Sequence, residues 1–360
     1  MTTSHQAVEE RQRPIRERHV SDYAELMKQV TALGLLKRSY GFYWSMIIGT
    51  VLVYTGLWVA VVLLGDTWYQ LIVAALMGVV LTQFGFLGHE AAHRQIFQSH
   101  RWNEWTGRLL SGLAAGLSYG WWMNKHNRHH QAPNQMGKDP DIVSDVLAFT
   151  PADAEKRKGI GEAFAKRQGY WFFPLLFLEG INLHVQSVKT AFGKRPIKLR
   201  WVEITFLIVR LGGYVAVLFI LLSPGIAAAF LGVQVGVFGF LLGAAFAPNH
   251  KGMPIVPKNA KVDFLRRQVL MSRNIKGGSF VDLAMGGLNY QIEHHLFPSM
   301  PRPNLRHAQK VVRDYCETHG VAYTETTLLK SYGIVVRYLN AVGLKARGPF
   351  DCPLVQEYRA

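Results

Sequence analysis

The sequence predicts an all-α integral membrane protein with four transmembrane helices in two hairpins, interfacial helices, and a cytoplasmic helical domain that carries clustered histidines. Three observations support this fold class. Hydrophobic residues make up 49% of the 360 residues, they gather into long uncharged runs, and the turns between those runs lack Lys and Arg. Such a pattern favours one integral membrane unit over two soluble domains.

Four apolar runs predict the membrane spans. The runs from Ser39 to Gly65 and from Thr67 to Gly88 contain no charged residue. Each exceeds the roughly 20 residues that a helix needs to cross the hydrocarbon core. We expect spans at about 43–65, 67–88, 204–222 and 226–248. The same pattern divides the chain into an N-terminal arm over 1–41, a membrane domain over 42–323 and a C-terminal tail over 324–360.

The distribution of basic residues predicts the orientation. The two hairpin turns, at Asp66 and at Ser223–Gly225, contain no Lys or Arg, whereas nearly all of the 40 basic residues lie in the arm, the central segment and the tail. The positive-inside rule therefore places both termini and the histidine clusters in the cytoplasm. The polar first forty residues contain no apolar core of a secretory signal, which agrees with an N-terminus that stays inside.

Two shorter apolar stretches, Leu109–Met123 and Tyr170–Leu183, predict interfacial or re-entrant helices. Both are too short to cross a bilayer. A crossing at the first stretch would also put the first two histidine clusters on opposite faces of the membrane, where they could not share a site. Arg210 lies inside the third predicted span, where charge is costly, and we expect it to reach toward the interface or to pair with Glu203.

Eight histidines have a spacing that predicts a site for more than one metal ion. Two of them, four residues apart at the inner end of the second span, present both rings on one face of a continuing helix. Three more follow an i, i+3, i+4 pattern, which turns the middle ring about 100° aside and lets one helix serve two ions. Two adjacent histidines can be divided in the same way. The eight are His89 and His93, His126, His129 and His130, His294 and His295, and the single His250 after the fourth span.

Two simpler interpretations of the histidines are weaker. A lone histidine is more often a surface or core residue than a ligand, and this describes His5, His19, His100, His184, His307 and His319. The segment His89–His93 also satisfies the H-E-x-x-H pattern of zinc metalloproteases, in which Glu90 would be the general base. A mononuclear zinc site needs only three protein ligands and would leave the other clusters unused.

The three clusters resemble the histidine boxes of the membrane fatty acid desaturases. That family has two spaced histidines in its first box, H-x-x-H-H in its second, and a histidine pair in its third, with two spans between the second and third boxes. The stretch Gly286–Asn304, which reads GGLNYQIEHHLFPSMPRPN, is similar to the third box of the front-end subclass. The resemblance covers about Phe42 to Tyr323.

The resemblance implies that two iron ions, held by the eight histidines, activate dioxygen. Gln291 stands where many relatives have the first histidine of the third box, and it would be a weaker ligand through its amide oxygen. Asn249 directly precedes His250, so it lacks the one-turn spacing expected of a residue that ligates through water. Polar residues near the boxes would accept the second ring N–H of the ligands or position water. These are Glu90, Asp139, Asp141, Asn249, Asp282 and Glu293.

The resemblance further implies an enzyme that inserts a cis double bond into a fatty acyl chain, with acyl-CoA favoured over acyl-lipid as the substrate. A di-iron hydroxylase or hydrocarbon monooxygenase would use the same site, and histidine spacing does not separate these activities. An apolar tunnel must hold the chain beside the irons. We expect its walls to include Tyr119, Trp121, Trp122 and Phe280.

The net charge of +16 predicts contact with anionic partners. Basic residues suit an anionic cytoplasmic leaflet, an acyl-CoA or an acidic electron carrier, whereas no nucleic-acid-binding motif accompanies the charge. The His-Pro-Gly-Gly haem motif of a fused cytochrome b5 does not occur in the sequence. We therefore expect a separate electron donor of the ferredoxin, flavin reductase or cytochrome b5 type. Cys316 and Cys352 are too few for a disulfide framework, and we expect inert thiols.

Overall fold

The computed structural model describes the backbone of residues 15–345 and the side chains of residues 22–345, so Cys352, His5 and the side chain of His19 lie outside it. The α-helices are α1 (Ile15–Ala32), α2 (Tyr40–Leu64), α3 (Gln70–Ala92), α4 (His100–Gly107), α5 (Tyr119–Gln131), α6 (Pro151–Glu155), α7 (Ile160–Ala165), α8 (Gln168–Ala191), α9 (Arg200–Leu207), α10 (Tyr214–Leu221), α11 (Pro224–His250), α12 (Phe264–Leu270), α13 (Ser279–Ala284), α14 (Gln291–Leu296), α15 (Arg302–Thr318) and α16 (Leu328–Gly343). Two π-helical segments, Arg108–Ala114 and Ile208–Gly213, continue α4 and α9, and Pro140–Ile142 and Leu288–Tyr290 are 3₁₀ turns. The short strands β1 (Asn274–Lys276) and β2 (Glu325–Thr327) pair in parallel.

Within residues 15–345, four helices are long and apolar enough to cross a membrane. Spans 1 to 4 are Tyr40–Leu64, Gln70–Ala92, Arg200–Leu221 and Pro224–His250. They confirm the predicted all-α membrane fold with two hairpins, and each lies within a few residues of its predicted bounds. The two hairpin turns contact each other, because the backbone N–H of Ser223 donates to the carboxylate of Asp66 at 2.8 Å.

Helix α8 packs closely along span 4, through glycines on both helices. A Cβ added at Gly239 would lie 2.2 Å from the backbone nitrogen of Gly180, and one added at Gly180 would lie 2.3 Å from the carbonyl oxygen of Val235. Small residues of this kind let two helix backbones approach. Helix α8 contains the predicted interfacial stretch Tyr170–Leu183, but with 24 residues it is longer than predicted.

The other predicted interfacial helix, over Leu109–Met123, is wrong as a single element. Helix α4 and its π-helical continuation end before Gly116, whose φ of +78° ends a right-handed helix. A new helix, α5, then begins, and its first turn is capped by Ser118, whose hydroxyl accepts from the N–H of Trp121 at 3.1 Å. The second histidine box therefore lies on a helix of its own. His184 on α8 binds the carbonyl of Ala115 at 3.2 Å, which agrees with the structural role expected for it.

The expected pairing of Arg210 with Glu203 is not found. Arg210 is buried, its Nε donates to the carbonyl of Ala114 at 2.6 Å, and its guanidinium lies 3.9 Å from the ring centroid of Tyr214. Glu203 instead accepts from Arg108 at 2.5 Å and from the N-terminal turn of α5. The reason is geometric. The carbonyl of Ala114, at the end of the π-helical segment after α4, lies within reach of Arg210, and Arg108 already binds the carboxylate of Glu203.

Segments on both sides of the predicted membrane domain, 42–323, pack onto it. Leu26 and Val30 of α1 are buried in an apolar cluster with α14 and α15. On α16, Val335, Tyr338 and Leu339 are buried against α8 and span 4. As far as Gly343, the predicted tail over 324–360 is therefore part of the folded unit.

Replacing Gly239 by alanine is expected to destabilise the protein, because the added methyl group would overlap the backbone of α8. Overpacking of this kind typically costs roughly 1–3 kcal/mol. Gly232→Ala on the same helix is the control, since nothing lies within 4 Å of its added Cβ. Thermal unfolding of both variants in the same detergent measures the difference, and equal midpoints would contradict the close packing of α8 on span 4.

Candidate metal centre

The eight predicted ligands converge in two groups of imidazoles. In each group, the ring nitrogens that face one another lie within 4.8 Å. The first group consists of His89, His93, His126, His130 and His294. The second consists of His129, His250 and His295. Residues from span 2, α5, span 4 and α14 thus meet at one place.

Two helices divide their histidines between the groups, as the spacing predicts. On α5, His126 and His130 face the first group and His129 faces the second. On α14, the adjacent His294 and His295 are divided in the same way. The rings of His130 and His295 stack at 4.1 Å between centroids, so the two groups are in direct contact.

The contacts between ring nitrogens are short. The Nε2 atoms of His93 and His126 are 2.7 Å apart, and those of His129 and His250 are 3.2 Å apart. Burial lowers the pKa of His93 to about 3, and it also lowers the pKa of His126, His130 and His294 well below the usual value. These rings are therefore neutral at physiological pH, which is the form that binds metals.

Several buried ring nitrogens have no hydrogen-bond partner among the described residues. They include both nitrogens of His130 and the Nε2 atoms of His294 and His295. A buried polar atom without a partner is costly, and the great majority in native proteins are satisfied. A cation in each group would satisfy these lone pairs. The residues therefore fit two metal ions with nitrogen-rich ligand sets.

Asp139 fixes the orientation of His129. Both of its carboxylate oxygens lie 3.1 Å from Nδ1 of His129, and Asp141 lies 3.4 Å from the same atom. Burial would lower the pKa of His129, but the charges of Asp139 and Asp141 raise it. The Nδ1 atom faces these carboxylates and donates to Asp139, so Nε2 is the ring nitrogen that can bind a metal. The structure thus places both aspartates beside a predicted ligand, and their role at a metal site stays a prediction.

Two further partners of the histidines were missed by sequence reasoning. The side-chain oxygen of Gln268 accepts from Nδ1 of His295, and the carbonyl of Met271 accepts from Nδ1 of His250, both at 2.9 Å. Both acceptors lie on α12 or at its end. A search for carboxylates near the boxes overlooks a neutral amide and a main-chain carbonyl, and neither has a signal in a single sequence.

The comparisons with known proteins agree with this geometry. The sequence profile described as Fatty acid desaturase matches residues 66–327, nearly three quarters of the chain. This chain belongs to the fatty acid desaturase family.

Three similar proteins illustrate the relationship. The chain is 28% identical to the fatty acid desaturase 2-like protein FADS2B of Mus musculus, over 89% of this chain and 66% of that protein. It is 30% identical to the Delta(6)-fatty-acid desaturase fat-3 of Caenorhabditis elegans, over 76% of this chain and 64% of that protein. It is also 30% identical to an acyl-lipid (9-3)-desaturase of Physcomitrium patens, over 75% of this chain and 52% of that protein. The chain thus spans about two thirds or less of the length of these relatives.

In this desaturase family member, the carboxylate of the H-E-x-x-H segment is not placed as a general base. Glu90 is buried and forms an ion pair with Arg302, which begins α15. The backbone N–H of Arg302 also donates to the hydroxyl of Tyr43 on span 1 at 3.1 Å. Glu90 therefore joins span 2 to the segment after the third box, and its expected contact with a ligand ring is not found.

Glu293 and Asp282 also differ from the roles expected of them. Glu293 accepts from Asn274 and from the hydroxyl of Tyr323, each at 2.7 Å, and burial raises its pKa to about 7. Asp282 accepts from Asn289 at 2.7 Å. Neither contacts a ring of the two groups. The reason for Glu293 is helical geometry, because its neighbour in sequence points about 100° away.

The amide of Gln291 has an orientation that bears on its predicted role as a ligand. Asn249 Nδ2 lies near the carbonyls of Ala245 (3.2 Å) and Leu288 (3.1 Å), and it donates to Oε1 of Gln291 at 3.1 Å. The nitrogen of Gln291 therefore faces Nε2 of His250, at 2.9 Å. An amide nitrogen does not ligate a cation, so in this orientation Gln291 acts as a hydrogen-bond donor beside the second group.

Of the four predicted tunnel residues, only Trp122 contacts the histidines. Its ring stacks on His126 at 4.1 Å between centroids and lies 5.3 Å from His89. Trp121 lies against Lys125, and Tyr119 is buried under the guanidinium of Arg108. Phe280 is 81% exposed, and its expected place in a tunnel wall stays a prediction.

The Asp139→Asn variant is expected to lose metal from the second group. An amide can offer the wrong partner to Nδ1 of His129, and losing such an outer partner typically lowers metal affinity 10–100-fold. Elemental analysis of the purified protein should then show about one ion per chain where the parent shows two. Asp145→Asn changes an exposed carboxylate nearby and should retain both ions.

The Gln291→Ala variant tests whether the amide ligates. If it donates a hydrogen bond as the structure shows, two ions per chain should remain at saturating metal. A fall to one ion per chain in the same elemental analysis would mean that the amide turns over and binds the metal through its oxygen.

Proposed function

We propose that this protein is a fatty acyl desaturase that uses a di-iron centre, dioxygen and two electrons to insert a cis double bond. The observation that carries the proposal is the division of eight histidines into adjoining groups of five and three, at the ends of spans 2 and 4. Two ions side by side suit a reaction of dioxygen better than a single hydrolytic zinc does. Membership of the desaturase family supports the same reaction.

The chemistry explains why a metal centre is needed. An unactivated methylene C–H bond is far too weakly acidic for any side-chain base, so its removal needs the oxidising power that iron and dioxygen supply together. In the balanced reaction, the acyl chain gives up two hydrogens, and two electrons and two protons from outside complete the reduction of dioxygen to two waters.

The residues of the chain position this chemistry. Asp139, Gln268 and the carbonyl of Met271 hold the rings of His129, His295 and His250 in fixed tautomers, so the second group is pre-organised. The indole of Trp122, stacked on His126, places an apolar surface beside the first group. An acyl carbon pair held against that surface would lie next to the metal ligands with water excluded.

The substrate and the orientation are part of the proposal. We propose a fatty acyl group carried on CoA, because the basic surface suits a polyanionic carrier. The name of the Physcomitrium patens relative makes an acyl-lipid the other class to test. The distribution of Lys and Arg supports a site and termini in the cytoplasm.

The His129→Ala variant tests the proposed function. Expression of the parent protein in a host that supplies an electron donor should yield a new unsaturated fatty acid, detected by gas chromatography with mass spectrometry. The variant should reduce this product at least 100-fold, because the second group loses a ligand and its fixed orientation. His307→Ala, which changes a histidine outside both groups, should retain it. A hydroxylated product would instead identify a di-iron hydroxylase, and full turnover by His129→Ala would contradict the di-iron assignment.

A further inference from the structure

A basic cavity lies behind the second histidine group. It has a volume of about 390 Å³ and is lined by Arg128, Gln131, Ala132, Gly137, Lys138 and Arg267. Three of these six residues are cationic and none is acidic. The residues come from the end of α5, the loop after it, and α12, and none belongs to a membrane span.

Two of the three cations of this cavity, Arg128 and Arg267, donate to backbone carbonyls, and none of the three forms an ion pair among the described residues. Arg267 donates to the carbonyls of Gln131 at 2.9 Å and Val262 at 3.0 Å, and Arg128 donates to the carbonyl of Lys138 at 3.2 Å. The Nε atom of Arg267 is buried and has no hydrogen-bond partner in the described part of the chain. Asp263 acts electrostatically on Arg267, whereas the charges of Arg128 and Lys138 are exposed and without an ion-pair partner among the described residues. Such an arrangement suits a site that receives an anionic group.

The side chain of Gln268 connects the cavity wall to both histidine groups. Arg128 and Gln131 flank the histidines at the end of α5. Gln268, which follows Arg267, accepts from Nδ1 of His295 at 2.9 Å and donates to the carbonyl of His130 at 2.9 Å. A continuous path of bonded and hydrogen-bonded atoms thus joins the cavity to a predicted ligand in each group.

We propose that this cavity is the docking point of an acidic one-electron carrier protein, one of whose carboxylates enters between Arg128 and Lys138. The inference rests on the proposed function, because desaturation needs two electrons from outside the chain. Each of two docking events oxidises one reduced carrier by one electron. These two electrons, two protons, and the two hydrogens from the acyl chain together reduce one dioxygen to two waters.

The lining favours a protein carrier over the nucleotide of an acyl-CoA. Ligand pockets for such molecules are lined mainly by apolar and aromatic side chains, and the only apolar side chain here is that of Ala132. An acyl chain would also need an open channel from this cavity to the metal ligands. Electrons pass through packed atoms and need only the short path through Gln268.

Charge reversal in the cavity tests the proposal. The binding of a plant-type ferredoxin to the full-length, metal-loaded protein in nanodiscs would be measured at low salt for the parent, Lys138→Glu and the double variant Arg128→Glu/Lys138→Glu. We expect the double variant to raise the Kd about tenfold or more, since close charge pairs across an interface typically contribute at least that much. Lys138→Arg should bind like the parent. Lys330→Glu makes the same charge change at an exposed position on α16 and should also bind like the parent.

Turnover with two kinds of reductant separates docking from damage to the site. The double variant should lose product formation with reduced ferredoxin but keep it with a small chemical reductant, and elemental analysis should show unchanged metal. Unchanged ferredoxin binding, or weaker binding of CoA in its place, would overturn the proposal. If the parent protein formed no product with either reductant, the proposed function would fail, while the comparison of ferredoxin binding would still test the docking site.

Discussion

The burial of eight imidazoles around two adjoining points is the constraint on which the rest of the structure depends. Ring nitrogens removed from water need partners, and those of His130 have none among the described residues. A cation in each group would bind the lone pairs of these ring nitrogens. The cluster can form only if spans 2 and 4 end at the same depth and if α5 and α14 are turned toward them, so the constraint reaches every part of the fold.

Much of the surrounding structure holds those four elements in place. The carbonyl of Pro248, two residues before His250, accepts from Arg273 at 3.0 Å and from Ser331 of α16 at 2.7 Å. Glu90, beside His89, is tied to Arg302 of α15. These contacts explain why the segments after the third box are folded against the membrane helices. They hold the inner ends of spans 2 and 4, which carry His89 and His250.

The features that sequence predicted well are local ones. Uncharged runs indicate membrane spans, and the i, i+3, i+4 spacing on α5 indicates how its rings divide, so the spans and the divergence of His129 from His126 and His130 followed from the sequence. Which histidines gather in each group did not. The partners of Glu90 and His295 did not, because Arg302 and Gln268 are distant in sequence and carry no motif. The helix break before α5 depends on the left-handed conformation of Gly116. The folding of the predicted C-terminal tail onto the membrane helices depends on packing between α16 and α8. Neither feature can be predicted from a hydropathy pattern.

The location of bound iron tests the central claim most directly. Crystals of the protein grown with ferrous iron would be measured at the iron absorption edge for anomalous scattering. Two peaks are predicted, one enclosed by His89, His93, His126, His130 and His294, and one by His129, His250 and His295. A single peak held only by the two histidines of the H-E-x-x-H segment and one other ligand would contradict the account.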